Sequence, residues 1–171
     1  MRQPFEDLIG TELDRLYRAA VFLTAGQADE AEQLLRAAVV DAYREYNMGR
    51  TELERPDVWL DGHLARALLQ PESLRDDLWW RSTAPPTGAS TESSVPLANH
   101  QLEDLAWAAG DLPSRQRITF WLGVLERRRY GTISEILDVP RDRVAEWIRE
   151  GYRVMGDRLA RTPDHRDQGI R

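Results

Sequence analysis

The strongest constraint on this chain is a stretch with almost nothing to bury. Between Arg81 and Leu97 the sequence reads "STAPPTGASTESSVP", dense in Ser, Thr, Pro and Gly and without a residue large enough to anchor a core. Such composition reads as a flexible linker, taken here as 82–98. It divides the 171 residues into halves, 1–81 and 99–161, each near the lower size limit for a self-sufficient core. The last residues, 162–171, carry no apolar stripe and read as a disordered tail.

On both sides of the linker, apolar residues recur at helical spacing. Phe5, Leu8, Ile9, Leu13, Leu16, Tyr17 and Ala20 form one stripe. Ala31, Leu34, Leu35, Ala38, Val39, Ala42, Tyr43 and Tyr46 form a second. Trp59, Leu60, Leu64 and Leu68 predict a third helix, begun by Pro56 and ended before Pro71, and a short fourth is predicted over about 72–80. Beyond the linker, Leu102, Leu105, Ala106 and Ala109 mark one helix, and Ile118, Trp121, Leu122 and Leu125 another. No run alternates as a strand would, so the expected class is all-α: two small helical domains, joined by a flexible linker.

Composition removes several functions. With no cysteine there is no disulfide, thiolate nucleophile or thiolate zinc site, and His63, His100 and His165 lack ligand spacing. No Gly-rich phosphate loop or paired-histidine motif is present, so neither enzyme activity nor a cofactor, metal or small-molecule substrate is expected. No apolar run reaches the ~20 residues of a membrane span, and the start alternates charge too soon for a signal peptide. A cytoplasmic protein is expected. Its charge is uneven: residues 1–81 hold 10 Arg against 16 Asp and Glu, and residues 97–171 hold 13 against 12. The C-terminal half is therefore the better candidate for meeting nucleic acid.

That half contains "YGTISEILDVPRDRVAEWIREGYR", with the outline of a short helix, a tight turn and a second helix. Thr132-Ile133-Ser134-Glu135 has a capping-box pattern that predicts the start of the first helix. Pro140 suits the first turn of the second, whose apolar face is Val144, Trp147, Ile148 and Met155. Arg141, Ala145, Arg149 and Arg153 share one side of that helix. Arg143 and Glu146 are near enough to pair with each other, or Glu146 can accept a hydrogen bond from a cytosine amino group. The basic run Arg127-Arg128-Arg129 either contacts a phosphate backbone or complements a helix dipole.

The order of these pieces, with "LPSRQR…ISEILDVPRDRV" at the C-terminal end, resembles the extracytoplasmic-function sigma factors of bacterial RNA polymerase, from about Phe5 to Leu159. The resemblance implies binding to core RNA polymerase and promoter DNA. It also implies an anti-sigma protein as a possible antagonist. "ADEAEQLLRAAVVDAYREY" is similar to the family's core-binding helix, where Gln33, Leu34, Arg36 and Ala37 fall on the usual contact string together with Leu35. "RPDVWLDGHLARALLQPESLRDDLWWR" is similar to its promoter-melting segment, with Trp59, His63, Arg66, Arg75, Trp79 and Trp80 as the implied contacts. The tryptophans can stack on unpaired bases or pack in a core.

The sequence also departs from that pattern. Three polar clamp contacts are changed, to Gln33, Arg36 and Ala37, the family's amide in the melting segment is gone, and Asp76 and Asp77 stand where arginines are expected. A second reading follows: a sigma-derived interaction module that binds a protein partner without reading promoter DNA.

Overall fold

The computed structural model describes residues 4–49, 55–70 and 97–161, with the backbone alone at 97–101 and 161. Among these residues every regular element is helical, as the periodicity predicts. The helices are α1 (Phe5–Leu23), α2 (Ala28–Asn47), α3 (Pro56–Leu69), α4 (Leu97–Ala109), α5 (Ser114–Phe120, extended by a π turn over Trp121–Leu125), α6 (Tyr130–Leu137) and α7 (Arg141–Arg161). None is long and apolar enough to cross a membrane. The expected fourth helix over 72–80, most of the linker and the tail lie outside the described residues.

Helix boundaries follow local chemistry. Pro56 occupies the first turn of α3, where its missing N–H costs no hydrogen bond. The α1–α2 turn uses Ala25 (φ 57°) and Gly26 (φ 85°) in the left-handed region. Thr24 seals it, its hydroxyl donating to the Ala20 carbonyl at 2.9 Å. The π turn after α5 lets the Glu126 N–H reach back to the Trp121 carbonyl at 3.0 Å. A wide turn advances the register of side chains. Trp121 and Leu122 stay buried, and Leu125, expected on the same stripe, stands exposed.

α2 and α3 pack on each other and on α1, and α7 packs on α4, α5 and α6. The halves on either side of the linker also touch. α1 lies against α4, α3 meets α5 and α6, and Phe22 stacks on Phe120 with centroids 6.4 Å apart. Phe22, Leu23, Ala106, Ala108 and Ala109 are fully buried. This places the α1 core face toward its C-terminal end. Leu13 and Tyr17, expected in its stripe, are instead exposed.

Arg117 reinforces this contact through backbone groups. Its guanidinium donates to the Leu23 carbonyl at 2.6 Å, and to those of Ala109, Gly110 and Leu112 at 3.0, 3.3 and 2.9 Å. Those of Leu23 and Ala109 end helices, where carbonyls lack intrahelical donors, and those of Gly110 and Leu112 lie in the connection that follows α4. At the far end of α7, Arg158 lies 4.0 Å over the Trp107 ring and pairs with Asp111.

Close approach fixes one glycine. A Cβ on Gly151 of α7 would stand 2.5 Å from Phe120 Cδ2, whereas one on Gly156 would meet nothing within 4 Å. Gly151→Ala should therefore destabilise the fold by ~1–3 kcal/mol through overpacking. Gly156→Ala should stabilise it by ~0.5–1 kcal/mol through backbone entropy. Urea unfolding midpoints of the two variants test the contrast.

Candidate nucleic-acid interface

The helix pair forms, but not through the expected capping box. α6 begins at Tyr130, two residues before Thr132, and has no side-chain cap. Arg129 is already extended and its carbonyl accepts from the Ile133 N–H, so Thr132 lies within the first turn rather than ahead of it. Ser134 works at the other end, its hydroxyl donating to the Val139 carbonyl at 2.5 Å. Asp138 ends the helix in the left-handed conformation (φ 51°), where Asp is better tolerated than most residues. Pro140 directly precedes α7, and its carbonyl accepts from the N–H groups of Arg143 and Val144. Ile133, Leu137, Val144 and Ile148 are buried.

The opposite face of α7 exposes Arg141, Arg143, Glu146, Arg149 and Arg153, with Ala145 half-buried among them. These side chains are largely occupied by one another. Arg143 donates to Glu146 at 2.8 Å, Arg153 to Glu150 at 2.5 Å and to Asp157 at 3.4 Å. Arg149 Nε lies 3.4 Å from the Ala145 carbonyl. The hydrogen bond from Arg153 holds the Glu150 carboxyl below its ordinary range, and Glu150 raises Arg153 in return. Exposed pairs of this kind contribute little and are screened by salt, so phosphate can replace the acids.

The run Arg127-Arg128-Arg129 does not act as one patch. Arg127 (φ 53°) turns the backbone after the π turn, and the Arg128 N–H reaches the Leu122 carbonyl at 2.8 Å. Arg127 and Arg129 stay exposed while Arg128 points inward, its side chain 11% exposed. Arg128 donates to Asp61 Oδ2 at 2.9 Å through Nε, its Nη2 lies 2.7 Å from the same oxygen, and it also pairs with Asp57. Arg15 of α1 donates to the other Asp61 oxygen at 2.6 Å and lies 3.2 Å from Glu126. Arg15 also donates to Glu12 of its own helix at 2.6 Å, so two guanidiniums and four carboxylates meet where α1 and α3 face the turn before α6.

Asp61 is fully buried. Burial pushes its carboxyl up, against the pull of Arg15 and Arg128. For Asp57 burial acts in the same sense, but the hydrogen bonds from Arg128 and the Val58 N–H, with the charges of Arg128 and Arg55, outweigh it and hold the carboxyl low. Arg128 is raised although burial opposes its charge, because Asp61 and Asp57 surround it.

On α3 two of the implied melting residues, His63 and Trp59, pack inward while Arg66 does not. His63 is buried, with Nδ1 2.8 Å from Asp41 Oδ2. Its Nε2 is 2.8 Å from Glu45 Oε2, close enough to feel the charge but off the line of a hydrogen bond. Trp59 packs edge-on to His63 at 4.7 Å, and its buried Nε1 has no hydrogen-bond partner. Arg66 is exposed and donates to Asp41 at 3.1 Å. Arg75, Trp79 and Trp80 lie outside the described residues. On α2, Leu34 belongs to the core, while Arg36 and Ala37 are exposed and Gln33 is half-buried. Gln33, Leu34 and Ala37 line a cleft whose other wall includes Ser114 and Arg117 of α5.

No protein-family model matches the chain, and no curated protein matches it significantly.

Sequence reasoning missed Arg15, Asp57, Asp61 and Glu126. One signal was present: Asp61 lies between Leu60 and Leu64 on a helix with few polar positions, so its carboxylate had to find cationic partners. Asp61→Ala should leave two guanidiniums facing a void and destabilise the fold by ~3–5 kcal/mol. Arg143→Ala should stay within ~0.5 kcal/mol. Denaturant titration of both variants would show whether the inward and outward arginines differ this much.

Proposed function

We propose that this protein is a sigma-like transcription initiation factor that binds core RNA polymerase and directs it to promoter DNA, with α6, the turn and α7 reading the major groove. The observation that carries the reading is the outer face of α7. Arg141, Arg143, Arg149 and Arg153 are exposed on a helix whose other face, Val144, Ile148 and Met155, is buried. A short turn over 138–140 separates it from α6. That is the geometry by which a recognition helix enters a groove while its partner helix supports it. In this reading Glu146 reads a base edge, Arg127 and Arg129 contact the backbone, and Gln33, Arg36 and Ala37 meet the polymerase clamp. The protein acts in the cytoplasm, makes and breaks no bond, and is held in check by an anti-sigma protein.

A second reading, a sigma-derived module that binds a protein partner without reading DNA, is favoured by a specific observation. Arg143 and Arg153 are paired with acids of their own helix, and Arg128 is turned away from solvent. The two separate in a reconstitution. With core polymerase and a pool of genomic promoters, the first reading expects promoter-specific open complexes, and the second expects none above core alone.

DNA binding supplies a further measurement. If Arg141, Arg143 and Arg149 each neutralise one phosphate, log K should fall with log salt at a slope of roughly −3. Arg149→Ala should reduce that slope by about one. A slope near zero in the parent protein would rule out groove reading.

A further inference from the structure

Arg128 joins the two halves of the chain and is also the middle member of its densest basic run. Its guanidinium is held by Asp57 and Asp61, carboxylates one helical turn apart on α3. A guanidinium fork grips carboxylate and phosphate oxygens with the same geometry, so these aspartates occupy the place a nucleic-acid phosphate would take. Arg15 and Glu126 close a further pair across the same boundary at 3.2 Å.

Two clefts also run along the boundary between the halves. The cleft that holds Gln33, Leu34 and Ala37 is walled by Ser114 and Arg117 from the other half. On the far side, Gly62, Arg66 and Leu69 of α3 share a cleft with Glu135, Ile136 and Leu137 of α6. Closing the halves therefore withholds Arg128 and sets α5 beside part of α2.

We propose that the cluster of Arg15, Asp57, Asp61, Glu126 and Arg128 is a releasable autoinhibitory latch, in which Asp57 and Asp61 stand in for phosphate on Arg128 and keep the halves closed until a polyanion replaces them. Its regulatory meaning rests on the DNA-binding reading above; the latch itself is tested separately.

The chain contains no cysteine, so single cysteines report cleanly. Spin labels at Glu32→Cys and Asp142→Cys, both exposed, measure the separation of the halves. The wild type should give one short distance, with a longer population appearing in the Asp57→Asn/Asp61→Asn variant and on adding a short DNA duplex to the wild type. A lock is available at Ala25 and Gly110, where a Cβ on Gly110 would lie 3.3 Å from that of Ala25, within a few tenths of an ångström of a disulfide's usual spacing. With Ala25→Cys and Gly110→Cys, the oxidised form is held closed and should bind duplex DNA at least about tenfold more weakly than the reduced form, because apparent affinity falls with the fraction of open molecules.

Superimposable distances in wild type and the Asn variant would overturn the latch. So would equal DNA affinity of the oxidised and reduced lock, which decides the matter if the Asn variant loses its helix content. DNA binding by no form, open or locked, would remove the promoter reading, and the distance comparison alone would then decide the latch.

Discussion

The arrangement of this molecule depends on a carboxylate with no access to solvent. Asp61 lies on α3 among leucines, and an isolated ion there would be strongly destabilising. Two guanidiniums make it tolerable, Arg15 from α1 and Arg128 from the turn before α6, each within hydrogen-bond distance of a different oxygen. Because these arginines come from opposite sides of the linker, neutralising one charge also sets how the halves meet. Arginine suits this role better than lysine would, since a single planar fork reaches both Asp57 and Asp61.

Apolar contact and charge act differently at that boundary. Phe22, Leu23 and the α4 alanines supply non-directional burial, and Arg117 caps the carbonyls exposed where α1 and α4 end. Neither selects one register as sharply as the ion cluster, in which both Asp61 oxygens have their own donor. Buried ionic groups are weak sources of net stability and better attested as devices of specificity. The outer face of α7 is the reverse case: Arg143 and Arg153 hold acids on their own helix, in water, where exchange is easy.

Much of the helical layout was legible in the sequence. Stripes at helical spacing located the described helices, and Pro56 and Pro140 marked two starts to within a residue. Contacts depending on the meeting of distant segments were not legible. Asp57, Asp61 and Arg15 look like ordinary surface charges until α1, α3 and the 126–128 turn are brought together. Arg128 is indistinguishable in the sequence from its neighbours, because the backbone path of the turn, with its left-handed residue at Arg127, sets which of the three turns inward. The capping pattern at Thr132 failed for a local reason, since the chain was already helical two residues earlier. At α2 the stripe identified Leu34 as a core residue and said nothing of the cleft beside it.

The π turn over Trp121–Leu125 has a consequence for how such a sequence can change. It accommodates one residue more than an α-helix would, and each residue turns an α-helix by about 100°. Losing a single position there would re-phase everything downstream, presenting a different arginine of the triplet to α3. Insertions and deletions at this joint would thus act as a coarse dial on which cation faces the aspartates, whereas substitutions elsewhere in the helices adjust only the strength of contacts already made.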